Sequence, residues 1–188
     1  MGNKHSIHIA NATSEDIYVL AYLNPDWAVV DAITDITVIT AAFQQFKTCT
    51  ALGELPAKIT SIRDIFQTLS AVKKVISSGA QGIKAAMAVT EAFKKTAVKI
   101  PAGSFKNVKS EDFLSIYLKA HGIAGLIGAK TVTLVLMAGE GKDLRVAMWN
   151  SGSDHSWIAT KRGVIVRSKY GTLWQENPGA GTIAWGKK

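Results

Sequence analysis

Cysteine is almost absent from this chain of 188 residues, which contains one, Cys49. A single thiol cannot form an internal disulfide, so a disulfide-stapled scaffold is excluded and a reducing compartment is expected, with Cys49 as a small buried residue. Long apolar runs are lacking too: the longest uncharged stretch, residues 36–46, is too short to cross a bilayer, and no apolar run of signal-peptide length follows Met1. We therefore predict a soluble, cytoplasmic protein without a membrane span.

Motifs for catalysis and metal binding are also lacking. No Gly-x-Ser-x-Gly elbow is present, and the adjacent residues of Asp154-His155-Ser156 point to opposite faces of an extended chain. The four histidines and the cysteine show no metal-ligand spacing. A glycine-spaced run before Lys130 departs from a phosphate loop because Ala129 intervenes. The sequence therefore predicts no enzymatic activity, no catalytic residue, no cofactor and no metal.

The chain is rich in lysine, and its lysines are concentrated in one segment. Residues 73–109 contain eight lysines and one acid, a net charge of +7 out of +8 for the whole chain. Residues 1–72 sum to −3 (four bases, seven acids), and residues 110–188 to +4 (ten bases, six acids). Because the segment is otherwise rich in apolar residues, it is typical of a basic amphipathic helix. We interpret it as a contact surface for an anionic membrane or an acidic protein partner.

The lysines expected to bind an anionic membrane are those of the predicted helices and their ends: Lys73, Lys74, Lys84, Lys94, Lys95 and Lys99. A solvated helix face that binds nothing is the alternative interpretation. Specific nucleic-acid binding is disfavoured, since the segment lacks arginine and is poor in aromatic residues.

The first six residues, Met-Gly-Asn-Lys-His-Ser, satisfy the pattern for N-myristoylation at Gly2. One myristoyl chain alone gives marginal membrane binding, and a polybasic patch is the usual second signal. Gly2 is thus a candidate lipidation site that would act together with the lysines in a peripheral membrane protein.

Two strands and a helical block are predicted in the first hundred residues. Residues 5–23 alternate as two strands that could pair with each other. Asn24 can cap a helix that runs to about residue 46, with an extended conformation of residues 33–40 as the alternative. Apolar residues at three-and-four spacing predict further helices over residues 59–76 and 83–97.

The remainder of the chain is dominated by short β-prone runs separated by turns. These runs cover residues 113–118, 131–137, 144–149, 156–160, 164–169 and 173–175. Many short strands at close spacing favour an antiparallel sheet fold. We therefore predict one α+β domain over residues 1–188: an antiparallel β-sandwich formed by residues 5–23 and 100–185, interrupted at about residues 25–99 by an insertion of two to three helices.

Four of the five tryptophans fall in the last 40 residues. Such tryptophans commonly serve as core residues, and exposed aromatics near polar turns can instead bind sugars. A lectin-like, glycan-binding module is therefore the alternative function, with Trp149, Trp157, Trp174 and Tyr170 as candidate site residues. The third possible function is self-assembly into a homo-oligomer. Its contacts would be made by strand edges and by the apolar loop at residues 122–128.

Overall fold

The computed structural model describes residues 7–23, 36–49, 55–59, 61–109, 131–152, 157–160 and 181–184. This part of the chain forms β1 (Ile7–Asn11), β2 (Ile17–Leu23), α1 (Ile36–Cys49), α2 (Ile62–Ser78), α3 (Ile83–Thr96), β3 (Val98–Ile100), β4 (Phe105–Lys109), β5 (Thr131–Ala138), β6 (Arg145–Gly152), β7 (Trp157–Thr160) and β8 (Gly181–Ala184), with a short 3-10 helix at Gly141–Asp143. The α+β class predicted from the sequence is confirmed.

The described strands form two four-stranded sheets. Sheet one has the order β4-β1-β7-β8, and sheet two has the order β3-β2-β5-β6. Sheet two is antiparallel throughout, whereas β1 with β7 and β7 with β8 are parallel pairs in sheet one. The expectation of purely antiparallel pairing is therefore wrong for sheet one. Parallel neighbours are joined by long connections, and alternation within a strand does not specify its partner.

Strands β1 and β2 lie in different sheets although they are adjacent in sequence, so the predicted option of a hairpin is wrong. The buried side chain of Asn11 shapes the corner between them. Its Oδ1 accepts from the backbone N–H of Thr13 at 3.0 Å, and its Nδ2 donates to the carbonyls of Glu15 at 2.7 Å and Ile100 at 2.9 Å. This Asx turn carries the chain from sheet one into sheet two.

Both faces of sheet two are covered. One face, which includes Leu20, Val135 and Met137, packs against buried residues of the three helices, which we call the helical layer. The other face packs against sheet one, and its cluster contains Ile17, Val19, Ile100, Leu134, Leu136 and Ala138 of sheet two with Ile7, Ile9 and Ala159 of sheet one. Residues 133–138 of β5 are consequently all buried, as expected for a central strand covered on both sides.

The helices begin and end where local chemistry predicts. Ser61 and Asp64 form a capping box at the start of α2, and Gly79 ends that helix with φ 68°. The helix α1 begins at Ile36 among the described residues, so the extended alternative is wrong for residues 36–40. Packing of its buried Ile39, Phe43 and Phe46 within the helical layer, chiefly against α3, overrides the low helix propensity of its β-branched residues. Cys49, expected to be buried, is exposed at the last residue of α1.

Three predicted strands, at residues 113–118, 164–169 and 173–175, lie outside the described residues. The runs at 131–137, 144–149 and 156–160 correspond to β5, β6 and β7, with ends shifted by one to three residues. Strands β3 and β4 were not predicted, because their short runs carry lysines and were grouped with the basic segment.

Candidate functional site

The lysine-rich segment is divided between helices and strands. Lys73 and Lys74 belong to α2, Lys84, Lys94 and Lys95 to α3, Lys99 to β3, and Lys106 and Lys109 to β4. The prediction that the lysine-rich segment is helical is therefore wrong beyond Thr96. There the chain pairs with β2, with Lys99 opposite Tyr18 and Ile100 opposite Ile17.

Four of the six candidate lysines, Lys73, Lys74, Lys84 and Lys95, are exposed on the helical layer. The buried residues of α2 and α3 belong to the core cluster against sheet two, so these lysines lie on the solvent side of their helices. The helices together carry seven basic residues and two acids, which gives the layer a net charge of +5. The geometry can present several ammonium groups to a polyanionic surface without any rearrangement of the core.

Lys94 has a different environment. Its Nζ lies 3.0 Å from Oε1 of Glu140 and 3.4 Å from Oε1 of Glu91, and its side chain is 15% exposed. The same Nζ lies 5.6 Å from the centroid of the Tyr18 ring, within cation–π range. Burial acts to lower the pKa of Lys94, but the contacts with the two glutamates outweigh burial and raise that pKa above its usual value. Lys94 thus joins α3 to β2 and to the β5–β6 turn.

Lys99 is ion-paired as well, with 3.0 Å between its Nζ and Oδ2 of Asp16. The hydrogen bond from Lys99 lowers the pKa of the Asp16 carboxyl, and the same contact raises the pKa of Lys99. Since Lys94 and Lys99 both have carboxylate partners within the protein, an external anion must compete with those partners for them.

Arg145, at the start of β6, is ion-paired with Glu15, the residue next to Asp16 in the β1–β2 turn. Its guanidinium pairs with the carboxylate of Glu15, and its Nη1 donates to the carbonyl of Asp143 at 3.0 Å. Burial lowers the pKa of Arg145 from its high ordinary value. This pair ties the β1–β2 turn to the end of the β5–β6 turn.

A groove lies between α3, the β1–β2 turn and the turn that joins β5 to β6; we call it the α3 groove. Its wider part encloses about 330 Å³ and is lined by Tyr18, Lys94 and Gly139 with the four acids Glu15, Asp16, Glu140 and Asp143. A smaller continuation of about 80 Å³ has Ile76, Met87 and Leu144 among its lining residues. The two parts share Lys94, Gly139 and Glu140, so the Lys94–Glu140 ion pair lies where they meet.

The groove residues other than Lys94 were missed by sequence reasoning. Tyr18 was assigned only to a strand, and Glu140 only to a turn between strands. The pairing of Ile17 with Ala138 is what places Asp16 next to Gly139. The β1–β2 turn contains the acids Glu15 and Asp16, and the β5–β6 turn contains Glu140 and Asp143. This shared acidic composition is the one feature of the sequence that could have indicated that the two turns belong to the same site.

The tryptophan-rich candidate site is only partly described. Trp174 and Tyr170 lie outside the described residues, as does Gly2. Trp149 belongs to β6 in sheet two and Trp157 to β7 in sheet one, so these two positions are in different sheets. The half-buried Trp157 packs against the cluster between the sheets, which is a core role. The described residues therefore add no support to the glycan-binding alternative.

Comparison with known proteins gave no match to a family model, a curated protein or a solved structure. Within the described ranges, no helix has the length and apolarity needed to cross a membrane. The same part of the chain contains no group of three or more His, Cys, Asp or Glu placed to hold a metal ion.

Proposed function

We propose that this protein is non-enzymatic and binds anionic membrane surfaces peripherally through its helical layer. The observation that carries the proposal is the layer's net charge of +5, which arises from seven bases and two acids in the three helices. Lys73, Lys74, Lys84 and Lys95 are the proposed contact residues, because they are exposed on the solvent side of α2 and α3.

The expected strength follows from the electrostatics of anionic bilayers. Each lysine near such a surface contributes about 1 kcal/mol, and the attraction falls off within a Debye length of about 8 Å at physiological salt. Met87 is 53% exposed on the same helix as Lys84 and can enter the headgroup region as the lysines approach. The interaction is therefore expected to be reversible and sensitive to salt.

Lys94 and Lys99 have a smaller part in this proposal than the sequence suggested. Their ammonium groups lie 3.0 Å from carboxylate oxygens of Glu140 and Asp16, respectively. A lipid phosphate would have to compete with these resident carboxylates. An acidic protein partner would meet the same restriction and remains the alternative ligand for the exposed lysines.

Two finer features complete the proposal. A myristoyl chain on Gly2 would add a second membrane signal to the lysines and keep the cytoplasmic protein at the membrane. The two sheets would form a β-sandwich with the helical layer on its outer side; the shared cluster of Ile9, Val19 and Leu134 supports this arrangement.

The test compares two triple variants with the same change in net charge. K73Q/K84Q/K95Q removes lysines from the helical layer, whereas K58Q/K106Q/K142Q removes exposed lysines elsewhere. If each of the three lysines contributes about 1 kcal/mol, the first variant should bind anionic vesicles roughly 100-fold more weakly than the wild type. Its thermal stability should be unchanged. The second should lose less than about tenfold through net charge alone. An equal loss in both variants would contradict a localised contact surface.

A further inference from the structure

We infer that the exposed side of α1 is the surface of this protein that enters the boundary between headgroups and acyl chains of an anionic bilayer. This surface would add an uncharged contact to the proposed contact through lysines, on which the inference rests. Three observations carry it: the lack of charge on this side of α1, the exposed side chain of Val38 and the basic layer to which α1 belongs.

The exposed residues of α1 are almost all uncharged. Those at three-and-four spacing lie on one side of the helix, which we call the α1 face: Thr37, Val38, Ala41, Gln44, Gln45 and Thr48. The one charged residue of α1 is Lys47 in the last turn, and its Nζ donates to the carbonyl of Ala57 at 3.0 Å. A surface one helix long is thus free of charge in a protein with a net charge of +8.

The other two helices expose charged side chains along their length. These are Arg63, Lys73 and Lys74 on α2, and Lys84, Glu91 and Lys95 on α3. Transfer of a charged side chain into the apolar part of a bilayer is costly, and an uncharged helix side avoids that cost. Of the three helices, α1 is therefore the one suited to enter the interface, while the lysines of α2 and α3 attract the lipid headgroups.

Val38 provides an exposed apolar side chain on the α1 face. It is 48% exposed, and Met87 of α3 is 53% exposed. The other large apolar side chain exposed among the described residues, Phe105, is on β4 of sheet one, beyond sheet two from the helices. Two of these three side chains therefore belong to the helical layer, where a bilayer could remove them from water.

Charge favours a bilayer over a second copy of the chain as the partner of the α1 face. The helix α1 packs chiefly against α3, and the three helices together carry a net charge of +5. Two copies that met through this face would bring two basic layers together, which is unfavourable. An anionic bilayer attracts the same layer.

Matched substitutions on α1 and α2 test the inference by co-sedimentation with vesicles that contain phosphatidylserine. Ala41→Trp should tighten binding at least about fivefold, whereas Gln67→Trp on the exposed side of α2 should change it less than about twofold. Val38→Glu should weaken binding about tenfold more than Gln67→Glu, because both add one negative charge but only the first must enter the interface. Equal effects within each pair, with binding by the wild type retained, would overturn the inference and leave the proposed function in place.

The single cysteine gives a second readout without a substitution. Cys49 is exposed at the last residue of α1, and a nitrobenzoxadiazole label on its thiol should gain emission on vesicle binding and be quenched by lipids with a doxyl group on the acyl chain. The same label on the double variant Cys49→Ser, Lys106→Cys, on β4 of sheet one, should show neither change.

Three outcomes of these measurements would overturn the inference. Equal responses of the two labels would mean that α1 is not the inserted element. A mass in solution that doubles with concentration, without a response of the Cys49 label to vesicles, would assign the α1 face to a second copy. Absence of vesicle binding by the wild type would overturn the proposed function together with the inference.

Discussion

At the scale of single residues, Asn11 illustrates how a buried polar side chain fixes the path of the chain. Its amide group has two donors and both are used, at the carbonyls of Glu15 and Ile100. Its oxygen also accepts the Thr13 hydroxyl at 2.6 Å. The Asn11-Ala12-Thr13 sequence has the form of a glycosylation sequon, but a fully buried, doubly donating amide is inaccessible in the folded protein.

Replacement of Asn11 by Asp should be strongly destabilising. A carboxylate at this position cannot donate to the two carbonyls and would be a buried charge facing their oxygens. We expect a loss of about 3 kcal/mol in the free energy of unfolding, measured by urea denaturation. Gln44→Glu on the exposed side of α1 is the control and should stay within about 0.5 kcal/mol of wild type. A small effect at both positions would mean that the corner tolerates a charge.

The Asp16–Lys99 contact predicts a pH dependence of definite sign. The pKa of Asp16 is lowered in the folded protein, so the contribution of this carboxylate to stability is present above its unfolded value of about 3.8 and is lost as pH falls through the folded pKa. In Lys99→Gln the pKa of Asp16 should rise towards its ordinary value, which NMR titration of the side-chain carboxyl can follow. Lys106→Gln serves as the control, and a pKa that moves equally in both variants would exclude the pair as the cause.

At the scale of elements, the turn between β5 and β6 contains two glycines with a left-handed backbone, Gly139 and Gly141, and of these two Gly139 is the one with no room for a side chain. Gly139 has φ 75°, and a Cβ built there would lie 2.4 Å from the backbone oxygen of Asp143. Gly79 at the end of α2 has a similar φ of 68° but no atom within 4 Å of the corresponding Cβ position. The two glycines therefore separate the cost of backbone conformation from the cost of a clash.

Gly79→Ala should destabilise the protein by about 1 kcal/mol, because only the left-handed backbone is penalised. Gly139→Ala should cost about 3 kcal/mol or more, since the turn must also move away from the new methyl group. Thermal unfolding followed by circular dichroism measures both. Similar losses in the two variants would show that the turn adjusts without strain.

Periodicity within the sequence was sufficient for the elements that have one polar and one apolar side. The helix α2 follows the three-and-four spacing from Ile62 to Ile76, and its capping residues Ser61 and Gly79 have the expected chemistry. Strand β5 was evident as a β-branched run. What alternation cannot encode is the partner of each strand, because pairing is decided by packing between distant segments.

The same limit explains the candidate site. The lysines of the helical layer could be found from composition alone. The α3 groove could not, because Tyr18 and Glu140 meet only once β2 pairs with β5 and Lys94 packs across both. The short strands β3 and β4 were missed because their lysines resemble those of the preceding helix.

At the scale of the whole molecule, the basic side chains of the described residues are of two kinds. Lys73, Lys84 and Lys95 are exposed on the solvent side of the helical layer, and Lys94, Lys99 and Arg145 are ion-paired with acids around the groove. Among the described residues, the three helices carry a net charge of +5, from seven bases and two acids. This separation predicts a polarised molecule with one basic side that faces an anionic membrane.

Co-sedimentation of the unacylated protein with vesicles tests whether this basic side binds an anionic membrane. We predict binding to vesicles that contain phosphatidylserine, no binding to pure phosphatidylcholine vesicles, and at least about a tenfold loss of affinity between low and near-physiological salt. Such a result would establish an electrostatic membrane contact that does not require the acyl chain. Binding that is equal for neutral and anionic vesicles, or absent from both at low salt, would contradict the account and leave the lysines as a solvated helix face.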